Sequence, residues 1–246
     1  PNLLEVDVAV VNAIDGMLVK RVDGVGADGV LAPAPDGPVP PLAEPGQLAV
    51  APWVDGADAV AAMFLGGQET GNGWADVLLG EVNPSGKLPV TFVRDEKDYK
   101  PPGPCVGEAS DHCVYSEGLN VAWRGMIGSE AVAFSFGHGL SYTSFSYAWL
   151  ATPVLAPDGS VALSVLVNNT GAVAGAEVAQ LYLGFPASAG EPPKQLKGFE
   201  KVQLKAGETR TVTFPLDDRA VSVWDVHSMH RCLPNESNRS ALSVRF

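Results

Sequence analysis

The sequence predicts an α/β segment followed by an all-β sandwich, and three observations carry that prediction. Val6-Asp7-Val8-Ala9-Val10-Val11 is a short β-branched run of the kind buried in a parallel sheet. Trp74, Val77 and Leu78 recur at i, i+3 and i+4, the period of a helix whose apolar residues share one face. From Ser146 onward the period changes to two, with Val161, Leu163, Val165 and Val167 alternating with Ala162, Ser164 and Leu166.

Taken in order, the first run is one strand. Between Gly24 and Pro45 the chain becomes rich in Gly, Ala and Pro, and Pro33, Pro35, Pro38, Pro40, Pro41 and Pro45 exclude regular helix or central strand, so residues 24–45 read as an irregular loop. Leu48 to Val54 and Ala59 to Leu65 read as segments packed beside the helix. Thr70 and Asn72 are candidate N-caps for that helix, and Gly80 follows its end. Pro84 and Gly86 then force a turn. After Phe92 a charged, proline-bearing stretch to about Gly107 reads as a surface loop. In the β part Val212, Phe214 and Leu216 alternate with threonines and Pro215. Pro157-Asp158-Gly159 and Lys205-Ala206-Gly207-Glu208 supply turns, and Leu242, Val244 and Phe246 form the last strand. The expected domains are residues 1–125, a hinge at 126–145, and a β-sandwich at 146–246.

The 246 residues, 46% of them hydrophobic, suffice for one large or two ordinary domains with a buried core. With 28 acidic against 16 basic residues the formal charge is −12, which repels nucleic acid and anionic membrane surfaces and suits a neutral substrate. No apolar run approaches the roughly 18 residues of a membrane span. The chain opens at Pro1 with neither a Met nor a signal-peptide pattern, so a fragment is expected.

The motifs go further. Gly67-Gln68-Glu69-Thr70-Gly71-Asn72, Trp74-Ala75-Asp76-Val77-Leu78-Leu79-Gly80 and Asn83-Pro84-Ser85-Gly86-Lys87-Leu88-Pro89-Val90-Thr91-Phe92 follow one another closely. Together they resemble the pattern P-G-Q-E-x-G-x-x-x-A-D-V-L-x-G-x-x-N-P-S-G-K-L-P-x-T-F of the C-terminal α/β domain of family 3 glycoside hydrolases, which include many β-glucosidases and β-xylosidases. Tyr115 to Arg124 is similar to the family's Y-x-E-G-x-x-V-G-Y-R segment, with Ala122 and Trp123 where Gly and Tyr are usual. Phe134-Ser135-Phe136-Gly137-His138-Gly139-Leu140-Ser141-Tyr142-Thr143-Ser144-Phe145 resembles the hinge into the family's fibronectin type III-like domain. Leu196 to Val202 and Ser222-Val223-Trp224-Asp225 resemble that domain's own segments, and the resemblance runs from about Pro52 to Asp225. It implies a partial α/β sandwich domain followed by a fibronectin type III-like (immunoglobulin-like) β-sandwich.

The resemblance also implies a chemistry: retaining hydrolysis of β-linked glycosides or oligosaccharides by two carboxylates about 5–5.5 Å apart. In the family the nucleophilic Asp comes from an N-terminal barrel of about 250 residues, for which this chain has no room. The acid/base Glu usually lies in an S/G-E-G-x-D-R-like segment after an early strand. Here Asn12 to Pro45 departs from the family and offers Asp15, Asp23, Asp28, Asp36 and Glu44 without that motif, so no catalytic or substrate-binding residue is assigned. Glu69 and Glu117 lie inside matching motifs, but Glu69 reads as a helix first-turn acid favoured by the dipole. Glu117 reads as a turn residue or a partner of Arg124. His138, between two glycines, reads as a hinge residue. Trp53, Trp74 and Trp123 could stack on sugar rings but read as core. Two functions stay open: the C-terminal portion of a β-glucosidase-like enzyme whose barrel lies elsewhere, inactive by itself, or a non-catalytic structural or carbohydrate-binding module.

Cys105 and Cys113 fall in one Pro/Gly-rich loop and Cys232 lies far off; a Cys105–Cys113 disulfide and ordinary unpaired thiols are both compatible with that spacing. His112 is the one nearby nitrogen donor, so no metal is expected, nor a cofactor. The sequons at Asn168, Asn235 and Asn238 are candidate N-glycosylation sites and fit a secreted protein.

Overall fold

The computed structural model describes residues 8–12, 18–19, 59–64, 67–95, 98, 117–150, 160–225, 230–232 and 243–245. The chain divides into two compact units, one of Pro1–Ala75, Thr91–Val114 and Ser129–Phe134, the other of Asp76–Val90, Tyr115–Gly128 and Ser135–Phe246.

In the first unit β1 (Val8–Asn12) is the central strand of a three-stranded sheet, between β2 (Leu18–Val19) and β3 (Ala59–Met63). β1 runs parallel to β3, with Val8 opposite Ala59 and Asn12 opposite Met63, which fits the β-branched run read from the sequence. A parallel pair needs a long connection, and residues 13–58 separate the two strands in sequence. The antiparallel partner β2, with Val10 opposite Val19, lies where the sequence showed no strand signal. A second small pairing joins β4 (Phe92–Val93) to β5 (Val132–Phe134). Phe92 and Val93 are buried there, and the Phe92 ring meets Phe134 edge-on at 6.5 Å. The loop at 24–45 and the segment Leu48 to Val54 lie outside the described residues.

The helix α1 (Thr70–Leu78) begins at the predicted threonine, although Thr70 Oγ1 donates to Gly67 O at 2.5 Å rather than accepting from the first turn. Asn72 likewise uses its amide to donate to Glu69 Oε2 at 2.5 Å. Gly80 ends the helix as expected: its φ is +82°, a left-handed conformation costly for residues with a Cβ. The apolar face is less covered than the periodicity suggests, because Trp74 and Val77 are half-buried while Leu78 and Leu79 are exposed.

The second unit holds the sandwich. One sheet has the order β10-β7-β6, built from β6 (Phe145–Trp149), β7 (Val161–Asn169) and β10 (Thr209–Leu216). The other has the order β13-β8-β9, from β8 (Gly175–Gly184), β9 (Gln195–Leu204) and β13 (Ser243–Arg245). A hairpin of β11 (Val223–Asp225) and β12 (His230–Cys232) completes the described strands. Alternation places Leu163, Val165 and Val167 of β7 and Val212, Phe214 and Leu216 of β10 in one core with Leu181 and Leu183 of β8 and Leu204 of β9. Each such buried side chain stabilises the fold by roughly 1.5–3 kcal/mol. Pro215 is tolerated because β10 is an edge strand. β8 and β9 shift register between Leu181 and Tyr182, so that Gly198 and Leu196 are their successive partners and Lys197 is the extra residue of a bulge.

At the end of β7 the polar side chain of Asn169 is fully buried, next to buried Thr143. Its Oδ1 accepts from Thr143 Oγ1 at 2.6 Å and from Gly171 N at 3.1 Å, and its Nδ2 donates to Val173 O at 2.8 Å and Leu204 O at 3.3 Å. All four hydrogen-bonding positions of the amide are used, which is what makes its burial tolerable.

Candidate functional site

The densest polar arrangement among the described residues is built by the signature turn and the Phe136–Thr143 stretch, both within the second unit. Asn83 Oδ1 accepts from Ser141 Oγ and from Tyr142 N, each at 2.8 Å, while its Nδ2 donates to Ala174 O at 3.0 Å. Leu88 N donates to His138 O and Gly137 N donates to Leu88 O, both at 2.8 Å, so two loops distant in sequence are laced by backbone. Tyr142 Oη donates to Val77 O at 2.6 Å. A Cβ at position 139 would sit 2.1 Å from Gly86 O, which explains why glycine stands there.

The charged member is Lys87. Its Nζ lies 3.1 Å from Glu177 Oε2 on β8 and donates to Gly139 O at 3.2 Å, with both side chains of the ion pair largely buried. Glu177 Oε1 accepts from Tyr147 Oη at 2.8 Å on β6. Burial, then the hydrogen bond to Glu177 and the charge of that carboxylate, push the Tyr147 hydroxyl far above the usual phenol range, so it stays a donor. Partial desolvation, then the Lys87 ammonium, holds the exposed His138 imidazole below its ordinary value of 6.5.

Beside this lies an aromatic group. Trp123 stacks on Phe136 with ring centroids 4.7 Å apart and planes 9° apart, and meets Tyr182 edge-on at 5.9 Å. Lys194 Nζ stands 4.5 Å from the centre of the Tyr182 ring. The residue before Trp123 explains the family's usual Gly: Ala122 has φ +51° and is the one non-glycine with positive φ among the described residues.

The candidate residues from the sequence fall into separate places. Glu69 is exposed in the first unit, where its backbone carbonyl accepts from Gly73 N, and Glu117 is half-buried in the second, its carbonyl accepting from Asn120 N. His138 lies in the laced loops, and Trp123 in the aromatic group. Of the apolar hinge residues, Phe134, Phe136 and Phe145 are half-buried, whereas Leu140 and Tyr142 are exposed. Asn168 is half-buried on β7, its Oδ1 accepting from Thr209 Oγ1 at 3.1 Å. Trp53, Cys105, Cys113, Asn235, Asn238 and the carboxylates Asp15, Asp23, Asp28, Asp36 and Glu44 lie outside the described residues. Among the described residues no group of three or more His, Cys, Asp or Glu could hold a metal ion, and no helix is long and apolar enough to cross a membrane. Sequence reasoning missed Lys87–Glu177–Tyr147 and Asn169. Lys87 was visible inside a motif, but nothing in the sequence pointed to Glu177 as its partner.

A signature turn laced to the hinge, followed by a two-sheet sandwich, is the arrangement that the motifs' resemblance to family 3 glycoside hydrolases implies for their C-terminal part. Residues 39–142 match the glycosyl hydrolase family 3 C-terminal domain and residues 177–238 the fibronectin type III-like domain, and the chain belongs with that family. Among its relatives is the probable β-glucosidase H of Neosartorya fischeri, 45% identical over 180 residues, which cover 71% of this chain and 22% of the relative. The probable β-glucosidase L of Aspergillus terreus is 38% identical over 242 residues, 89% of this chain and 31% of the relative. Of solved structures, the Bifidobacterium adolescentis family 3 β-glucosidase superposes with a TM-score of 0.69 at 32% identity, covering 80% of this chain and 31% of that one. The Trichoderma reesei β-D-glucoside glucohydrolase gives 0.62 at 36% identity, covering 72% and 27%. The chain thus spans between 22% and 31% of the length of these proteins.

Proposed function

We propose that this chain is the C-terminal portion of a β-glucosidase that cleaves β-linked glucosides by the retaining two-carboxylate route, with a catalytic barrel outside these 246 residues supplying the nucleophile. The observation that carries the reading is the double match in the right order, residues 39–142 and then 177–238, in relatives named as β-glucosidases. In this reading the role of the chain is to build the scaffold, and the perturbed groups around Lys87 serve packing rather than proton transfer. In this reading residues 1–125 belong to the partial α/β domain, 126–145 to the hinge and 146–246 to the sandwich, with residues 76–90, 115–128 and 135–145 packed in one compact unit with the sandwich. The sequons at Asn168, Asn235 and Asn238 and a Cys105–Cys113 bond suit secretion, and the bond would give one linked peptide pair by mass spectrometry.

The test is hydrolysis of an aryl β-glucoside. The 246-residue chain by itself is expected to show no turnover, because one carboxylate without its partner cannot form and resolve a glycosyl intermediate. The same chain preceded by its barrel is expected to be active. Turnover by the purified chain, abolished by changing one of its own carboxylates, would overturn the reading.

A further inference from the structure

On the sandwich, away from the laced loops in sequence, the turn after β10 and the start of β11 enclose an open depression of about 480 Å³ lined by Arg219, Ser222, Val223 and Trp224. That volume lies within the roughly 300–1,000 Å³ of ligand sites. Trp224 is 56% exposed, a large aromatic surface left to solvent on a strand only three residues long. The turn beneath it is fixed: Ala220 N donates to Asp217 Oδ1 at 2.8 Å and Ser222 Oγ donates to Arg219 O at 3.2 Å. Trp224, Arg219 and Ser222 thus line one depression on a turn held by hydrogen bonds.

We propose that this depression is a binding subsite for a neutral, β-linked pyranoside, with Trp224 as the stacking platform and Arg219 and Ser222 as hydrogen-bonding partners of the ring hydroxyls. A β-linked glucopyranose carries its substituents equatorially, so each ring face presents only C–H groups. Those meet the negative face of the indole, while the hydroxyls point outward within reach of an Arg donor fork. Charge selects against anions: Asp217 and Asp218 stand directly before Arg219 on the exposed turn, and the chain carries −12 overall. An α-linkage would place a substituent on one ring face and lift it from the platform. The choice of glucan rests on the proposed β-glucosidase reading, but the site does not, since it would bind sugar without hydrolysing it.

The experiment is titration of the 246-residue chain with cellotetraose, read by tryptophan fluorescence and by calorimetry, with maltotetraose and inorganic phosphate as parallel probes. Saturable cellotetraose binding is expected with Kd on the order of 1 mM, the affinity of a small exposed site. Trp224→Ala should weaken it at least about tenfold and Trp224→Tyr should retain most of it. Arg219→Ala should weaken it roughly threefold, and Phe199→Ala, at another exposed aromatic, should leave it unchanged. Absence of saturable binding, insensitivity to both Trp224→Ala and Arg219→Ala, or preference for phosphate or maltotetraose would each overturn the proposal. None of these outcomes touches the hydrolysis assay, so the two readings fail separately.

Discussion

Replacing Asn169 by alanine isolates a large effect in one residue. The wild-type amide makes four hydrogen bonds from a fully buried position, to Thr143, Gly171, Val173 and Leu204. Each is worth about 1 kcal/mol net, and a buried partner left unsatisfied costs about 1–3 kcal/mol instead. Water can recover part of this at Val173, but Leu204 O and the buried Thr143 hydroxyl have little alternative, so Asn169→Ala should destabilise the sandwich by about 3–5 kcal/mol. At roughly 2–4 °C per kcal/mol this lowers Tm by about 6–20 °C. The control is next door. Asn168 is half-buried and its Oδ1 accepts a single hydrogen bond from Thr209, so Asn168→Ala should cost within about 1 kcal/mol. The assay is urea unfolding of the full chain followed by near-ultraviolet circular dichroism, with thermal melts alongside. Both variants are compared in unglycosylated protein, because Asn168→Ala removes the sequon at 168 whereas Asn169→Ala keeps it. If the two variants unfold within 1 kcal/mol of each other, the network reasoning fails.

Three further outcomes follow from the second unit. Lys87→Met leaves the Glu177 carboxylate buried beside Tyr147 alone and should cost about 3 kcal/mol, while Lys87→Met with Glu177→Leu should recover most of it; equal stabilities of wild type and Lys87→Met would refute the pair's importance. Ala122→Gly relieves a left-handed alanine worth about 1–2 kcal/mol and adds about 0.4–1 kcal/mol of unfolded-state entropy, for a net gain near 0.5–1 kcal/mol in a thermal melt, and a lower Tm would contradict it. Because the folded pKa of His138 is depressed below 6.5, the unfolded chain takes up the proton first, so stability is intact above about pH 6.5 and falls as pH drops through the folded value. His138→Gln should flatten that part of the pH profile of unfolding, and an unchanged slope would exclude the residue as a contributor.

How much of this was legible in the sequence differs from element to element. The alternation of Leu163, Val165 and Val167 placed β7 correctly because burial on one sheet face leaves a period of two. Helix α1 was legible from its stop at Gly80, where a positive φ leaves a residue mark. Its buried face was not, since periodicity reports which residues share a side and says nothing of what covers Leu78 and Leu79. β2 carried no signal because two residues are too few for a period. The ion pair of Lys87 with Glu177 joins positions 90 apart, and no local pattern encodes such a partner.

The lacing of Asn83 and Lys87 onto the sandwich also bears on where the chain can be cut. A shortened protein starting at Ser146, the natural choice from the change in periodicity, would discard Phe145, the first residue of β6, together with Lys87, the ammonium that Glu177 pairs with. It would also lose Thr143, leaving buried Asn169 one donor short. A protein meant to carry the sandwich alone therefore needs residues 76–90 and 135–145 brought along, for instance by a circular permutation that joins them to β6, because the folding unit ignores the boundary that the composition suggests.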